Sequence, residues 1–253
     1  MIPIKEPWEL TVMRTAGRKL AEVVERVRER VADGVTTRDL DRIAEEAILA
    51  AGAKPAFKGY KVGRAVFPAT ICASVNEQVV HGIPSKRVLR AGDVVSLDFG
   101  LVYGGYYADM AYSTCIGEAD PDAVRLVAAT EEALRRGIAK ARVGARIGDI
   151  GHAVESFVRP QGFGVVTQMV GHGIGRKMHE PPSVPNYGKQ ATGDLLRAGM
   201  VIAIEPMITL GTDDTKILGD QWTVVTEDNS RSAHFEHTVA ITPAGPEVLT
   251  LPG

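Results

Sequence analysis

The feature that most constrains this chain is a segment that occurs twice. Leu89-Arg90-Ala91-Gly92-Asp93-Val94-Val95-Ser96-Leu97-Asp98 is matched by Leu196-Arg197-Ala198-Gly199-Met200-Val201-Ile202-Ala203-Ile204-Glu205. Each copy is a turn ending in glycine, then a β-rich run, then a carboxylate. Upstream, Gly34, Asp39, Leu40, Glu45 and Gly52 align with Gly144, Asp149, Ile150, Glu155 and Gly162, 110 positions further on. Taken by itself, Leu-Arg-Ala-Gly is also a generic turn before a strand. Two separate segments sharing nearly one period point instead to a duplicated helix–helix–strand unit. The expected halves, about 1–116 and 117–253, face one another. Gly117–Pro121 between them is a short loop and not a Gly/Ser tether. One compact domain over 1–253 with a pseudo-twofold interior is therefore expected.

The helices are legible from periodicity. From Glu9 to Val31 the residues Leu10, Met13, Ala16, Leu20, Val23, Val24, Val27 and Val31 recur at steps of three and four, which predicts an amphipathic helix with one buried stripe. A second helix is predicted from Thr37 to about Ala51, capped by Thr36 or Thr37 and closed by Gly52. A third spans Pro121 to about Lys140, and a fourth Ile147 to about Val158. The 253 residues are 45% hydrophobic and 24% charged, enough for a sizeable core. A net charge of −2 gives no electrostatic footprint for nucleic acid. Two cysteines, Cys72 and Cys115, cannot form a disulfide framework in a chain this long, which suggests a reducing compartment. The N-terminal residues lack a signal-peptide profile and no apolar run reaches the ~18 residues of a membrane span. The expectation is a cytoplasmic protein with no membrane or nucleic-acid partner.

Carboxylates appear where strands should be apolar. Asp98 lies in Val94–Val102 and Glu205 in Val201–Ile208, both read as continuous strands. An isolated ionised carboxylate there costs several kcal/mol unless a cation or donors offset it. A strand end paired with Arg or Lys would explain one such residue, but explains two at repeat-equivalent positions less well. Tyr103-Gly104-Gly105-Tyr106 is a hairpin signal. Closed symmetrically about 103.5, it sets Asp98 opposite Asp109; shifted by one residue, it makes them diagonal neighbours. Directly opposed like charges ~5 Å apart repel, unless a divalent cation lies between them. Glu236 lies in another strand-like run, Ser232–Ile241. His172, in the loop Gly171-His172-Gly173-Ile174-Gly175, is either a solvated histidine or the nitrogen ligand that joins the four carboxylates. Four carboxylates and one histidine suit a pair of Mn²⁺, Fe²⁺, Co²⁺ or Zn²⁺ ions bridged by carboxylates.

Taken together, Cys72–Glu77, His81-Gly82-Ile83-Pro84, Asp98, Asp109, Gly171–Gly175, His179-Glu180-Pro181-Pro182, Glu205-Pro206 and Glu236-His237-Thr238 resemble the type I methionine aminopeptidases of the M24 metallopeptidases. The resemblance runs from about Glu6 to Leu251. It implies the α+β pita-bread fold, with helices outside a curved antiparallel sheet in two pseudo-twofold halves. Type II enzymes carry a large insertion between His179 and Glu205; none is present here, and no long N-terminal extension precedes the first helix. The resemblance further implies that Asp98 holds one metal and His172 with Glu205 the other, while Asp109 and Glu236 bridge both. His81 and His179 would flank the substrate. Tyr60, Phe67, Cys72, Met178 and Trp222 would line the methionine pocket. Asn76 and Ser232 match positions that hold a monovalent cation in some relatives.

The implied reaction is removal of the initiator methionine from nascent polypeptide N-termini, at the ribosome, by a monomeric enzyme that prefers a small second residue. Two metals would acidify a bridging water, the nucleophile, and polarise the scissile carbonyl. Glu205 would take the water proton, His179 would stabilise the oxyanion and His81 would meet the scissile nitrogen. Proline-specific relatives on the same fold, and non-catalytic members that have lost their ligands, are the competing readings. The chain departs from the usual pattern at Ala108-Asp109-Met110, at Met178 where Phe is frequent, at His234 where Gln is common, and in the longer, more basic stretch Lys61–Val66.

Overall fold

The structure, a computed structural model, describes residues 1–252. Helix α1 spans Pro7–Arg28, α2 Thr37–Ala50, α3 Pro121–Lys140 and α4 Ile147–Val158. The last three agree with their periodicity. Helix α1 begins two residues earlier than expected, because Pro7 is suited to a first helical position and the Glu6 N–H donates to the Glu9 carboxylate (2.9 Å). It ends three residues earlier, at Arg28, and Val31 packs against the core from the following turn. Thr36 caps α2, its side chain accepting from the Asp39 N–H.

The main sheet has nine antiparallel strands. Across it run Lys54–Pro55, Val94–Tyr103, Tyr106–Cys115, Glu236–Thr242, Val201–Ile204, Gly171–Gly173 and Glu180–Val184. Ile71–Val75 also pairs with Val94–Tyr103, and Gly245–Val248 with Glu236–Thr242. Helix α1 packs on Val94–Tyr103 and Tyr106–Cys115 and α2 on Lys54–Pro55 and Ile71–Val75; α3 packs on Tyr106–Cys115 as well as on Ser232–His234 and Met207–Thr209, and α4 on Glu180–Val184 and Gly164–Val165. Leu20, Val24, Leu40, Leu97, Phe99, Ile150, Ile202, Ile204 and Val239 belong to one buried cluster that spans both halves.

The two Leu-Arg-Ala-Gly segments make the same backbone contacts. The Gly34 N–H donates to the Leu89 carbonyl and the Gly144 N–H to the Leu196 carbonyl, both at 3.0 Å. Leu89 and Leu196 return the bond to Val35 and Ala145, both at 2.8 Å. Gly92 (φ +91°) donates to Ile116 at 2.8 Å, and Gly199 (φ +87°) to Ile241 at 2.9 Å. A side chain rarely adopts such a φ, which accounts for the glycine at both positions.

Two strands expected to be continuous are not. Val201–Ile208 divides at Glu205-Pro206: Val201–Ile204 stays in the main sheet, and Met207–Thr209 pairs with Ser232–His234 and Gly164–Val165 in a second sheet. Ser232–Ile241 divides likewise at Phe235. Pro206 lacks the N–H a ladder needs, so the chain leaves one sheet and joins the other there.

Candidate metal centre

Asp98 and Asp109 come from the long hairpin. Tyr103 pairs with Tyr106 around Gly104-Gly105, so Asp98 stands opposite Ala111 and Asp109 opposite Gly100. The shifted register holds, and the two aspartates are diagonal neighbours. Glu205 and Glu236 come from the two sheet-switching points. In the centre of the sheet Glu236 stands opposite Ala111, which brings it beside the hairpin. The Asp109 backbone is gripped by Thr238, whose hydroxyl accepts from its N–H (3.0 Å) and donates to its carbonyl (2.8 Å).

His172 is not in a loop, as expected, but in the short strand Gly171–Gly173, between Glu180–Val184 and Val201–Ile204. The flanking glycines are a packing requirement. A Cβ on Gly171 would lie 2.4 Å from the Ala203 carbonyl oxygen, and one on Gly173 2.2 Å from that of Pro181. The His172 Nδ1 lies 2.9 Å from the Gly173 carbonyl, so Nδ1–H donates there and the Nε2 lone pair is free. That Nε2 is 3.9 Å from Asp109 Oδ2 and 3.7 Å from Glu205 Oε1.

All five expected ligands therefore line one cavity of about 130 Å³. Among the described residues, the two clusters of ligand-type atoms, Asp109–His172–Glu236 and Glu205–His234–Glu236, both lie here. A larger open groove of about 650 Å³ between α3 and α4, lined by residues such as Arg136, Lys140 and His152, contains neither cluster. The carboxylates are buried together with little to offset their charge. Burial pushes Asp98 up to about 7. Burial first, and then its carboxylate neighbours, raise Asp109, Glu205 and Glu236 well above the usual carboxylate range. Asp98 Oδ1, Asp109 Oδ1 and Glu236 Oε1 have no hydrogen-bond partner among the described residues. Buried oxygens of this kind are normally satisfied, and divalent cations satisfy them as ligands. The residues fit a metal centre.

Tyr60, Phe67, Cys72, Met178, Trp222, His81 and His179 line the same cavity. Phe67 meets Trp222 edge to face (5.2 Å), and Trp222 meets His81 (6.5 Å). Cys72 faces Asp98 across the strand pair, and burial, then Asp98, pushes its thiol well up, so it stays a neutral wall of the pocket. Burial, with His179 adding to it, holds His81 and His172 down at about 4. Burial also lowers His179, and the Tyr60 hydroxyl lies 2.7 Å from its Nδ1. Asn76 and Ser232 lie outside this cavity. They meet backbone to backbone, the Ser232 N–H donating to the Asn76 carbonyl (2.9 Å).

Sequence reasoning missed Phe57 in the wall; it named His234 and the Lys61–Val66 stretch only as departures from the family pattern, and the structure puts Val62 in the wall and His234 beside Glu205 and Glu236. The alternation in Ser-Ala-His-Phe-Glu, which sets residues 234 and 236 on one side of an extended run, was the available signal for His234.

With an M24 metallopeptidase family model matching residues 11–243, the chain belongs to metallopeptidase family M24. Within it, the chain is similar to proteins named methionine aminopeptidase. That of Clostridium acetobutylicum is 48% identical over 99% of both chains, and that of Aquifex aeolicus 47% over 96% of both. The crystal structure of the Thermotoga maritima methionine aminopeptidase superposes with a TM-score of 0.96 at 44% identity, over 99% of this chain and 100% of that one. The prolidase of Pyrococcus horikoshii, at 23% identity and a TM-score of 0.79, shares the fold over 99% of this chain and 64% of its own. That fold is the pita-bread fold, four helices around a curled antiparallel sheet. No helix among the described residues is long and apolar enough to cross a membrane.

Proposed function

We propose that this protein is a type I methionine aminopeptidase, built as one domain of two duplicated halves, that removes the initiator methionine from nascent chains in the cytoplasm as a monomer. The observation that carries the reading is a single cavity lined both by metal-type donors and by apolar, sulfur- and ring-bearing side chains.

Asp98 would hold one divalent ion, His172 and Glu205 the other, and Asp109 and Glu236 both. Such a pair, when bound, supplies an acidified water and a polarised carbonyl. The remaining steps belong to the chain's own residues. Glu205, buried between His172 and His234, takes up the water proton. The Tyr60 hydroxyl donates to Nδ1 of a neutral His179, which leaves the ring proton on Nε2, ready to donate to the developing oxyanion. His81, neutral for the same reason of burial, stands at the scissile nitrogen. Asn76 and Ser232 would serve a monovalent cation through backbone carbonyls, because the Asn76 side chain is already committed to Asp93 and Val94.

A linear thioether fills a wall of Phe67, Cys72, Met178 and Trp222, where sulfur gains from ring contacts. A charged side chain would lose its hydration there with no partner. The second substrate residue lies against His81 and His179, where packed walls resist larger groups at ~1–3 kcal/mol. Met-Gly, Met-Ala and Met-Ser peptides should be cleaved well, and Met-Leu, Met-Lys and Met-Phe poorly. The test is kcat/KM over a Met-X tripeptide series with a Leu-Ala control. Equal rates for Met-Ala and Met-Phe would refute the small second residue, and faster cleavage of the Leu peptide would refute the methionine pocket.

A further inference from the structure

The dinuclear reading uses five ligands and leaves His234 idle. That side chain is 2% exposed, at the end of the Ser232–His234 strand. The Ser113 hydroxyl holds its backbone on both sides, accepting from the His234 N–H and donating to the His234 carbonyl, each at 2.8 Å. So buried and so fixed, His234 still has an Nε2 without any hydrogen-bond partner among the described residues. The atom lies 3.7 Å from Glu205 Oε2 and 3.9 Å from Glu236 Oε2.

Those separations are too long for hydrogen bonds. They approach the separation of two donors that share one ion: bonds of ~2.1 Å at a tetrahedral angle put ligand atoms ~3.4 Å apart. His172 provides an internal standard. Its Nε2 lies 3.7 Å from Glu205 Oε1 and 3.9 Å from Asp109 Oδ2. The two imidazoles thus repeat one geometry, each toward two carboxylates and each toward a different oxygen of Glu205. Glu205, His234 and Glu236 also bring three ligand atoms within 4.8 Å of one another, as Asp109, His172 and Glu236 do.

We propose that His234 is a sixth protein ligand of the metal centre, its Nε2 binding an ion held by Glu205 and Glu236. The inference rests on the metallopeptidase reading and adds a second nitrogen to it. Imidazole suits ions such as Fe²⁺ and Zn²⁺ and carboxylate suits Mn²⁺, so a second imidazole beside His172 shifts the preference further from manganese. This chain should therefore discriminate against manganese more strongly than a variant with a glutamine at position 234.

The test is cobalt(II) titration of chelator-stripped protein, followed by calorimetry and by NMR of the far-shifted exchangeable imidazole N–H signals that cobalt-ligating histidines give. The wild-type protein at saturation should show two such signals, and H234Q and H172Q one each. H234Q should bind cobalt at least about tenfold more weakly, with manganese affinity changed less. A single signal in the wild-type protein would overturn the proposal even if the variants failed to fold. Weaker binding in H234A that H234Q restores would also overturn it, since glutamine can replace a hydrogen bond to Glu205 but not an imidazole ligand. A wild-type protein that binds two cobalt ions with one imidazole signal refutes the His234 ligand alone. One that binds no cobalt refutes the metal centre itself.

Discussion

Gly173→Ala isolates the packing that delivers His172 to the metal centre. The added Cβ would stand 2.2 Å from the Pro181 carbonyl oxygen, with the Pro181 carbonyl carbon at 2.7 Å and the Glu180 oxygen at 2.9 Å. Each is backbone of a paired strand, so no flexible side chain can swing aside. Real Cβ atoms stay beyond about 3.0 Å, so Gly171–Gly173 and Glu180–Val184 must separate by about 0.8 Å. Overpacking of this kind costs ~1–3 kcal/mol, and at ~2–4 °C per kcal/mol for a chain near this size the melting temperature should fall by roughly 2–12 °C. The larger effect is on His172, one residue away. Metal–ligand distances tolerate only about 0.2 Å, and a misplacement near 1 Å at a reacting centre costs about 10²-fold in rate. Gly219→Ala, with nothing within 4 Å of its Cβ, is the matched control and should stay within about 0.5 kcal/mol of wild type. Calorimetric cobalt affinity, thermal melting and kcat/KM on a Met-Ala peptide together read the effect. Wild-type metal affinity and melting temperature in Gly173→Ala would refute the claim that the glycine is required for close approach.

His179→Ala should lower kcat by ~10²-fold or more with metal content unchanged; normal turnover would remove that residue from the mechanism. Asp109→Asn should lose metal, seen as a lower ion count per chain after dialysis, and full retention would contradict its bridging role. Metal-free protein should respond to pH in a distinctive way. Asp98 is raised to about 7 in the folded state, so its contribution is present below about 3.9 and is lost as pH rises through about 7. His81 and His172, held down at about 4, and His234, held at about 3, act oppositely, adding stability as pH rises toward about 6.5. The two trends offset one another up to that point, and above it only the carboxylate loss continues, first that of Asp98 and then that of Asp109, Glu205 and Glu236, which burial holds well above the usual carboxylate range. The melting temperature of chelator-treated protein should therefore fall from pH 6.5 to 8, while divalent metal should stabilise it increasingly over the same window. A metal-free protein that grows more stable across that range would contradict the burial of uncompensated carboxylates.

The helices and the hairpin were legible in the sequence because their causes are local. The stripe from Met13 to Val27 is a 3.6-residue period, Gly104-Gly105 is a turn signal, and Asp98 and Asp109 follow from counting outward along paired strands. Only the choice between two adjacent registers was left to the structure. The repeated Leu-Arg-Ala-Gly was legible for a similar reason: a glycine at positive φ is a backbone requirement that leaves its mark on one residue. What tertiary structure alone decided lies where contacts are remote. Val201–Ile208 looks like one strand, because both its sheets ask for the same apolar residues; Pro206 marks where a ladder must break, but which sheet each piece joins follows from the strands that lie alongside. The glycines beside His172 looked like loop residues, and only the Ala203 and Pro181 carbonyls pressing on them reveal a buried strand. His234 is the extreme case. The local alternation sets it on the side of Glu236, but the second carboxylate it meets there is Glu205, 29 positions away, and its backbone is held by Ser113, 121 positions away. Periodicity records the face a residue presents, whereas the charge it must meet on that face is set by the packing of distant segments.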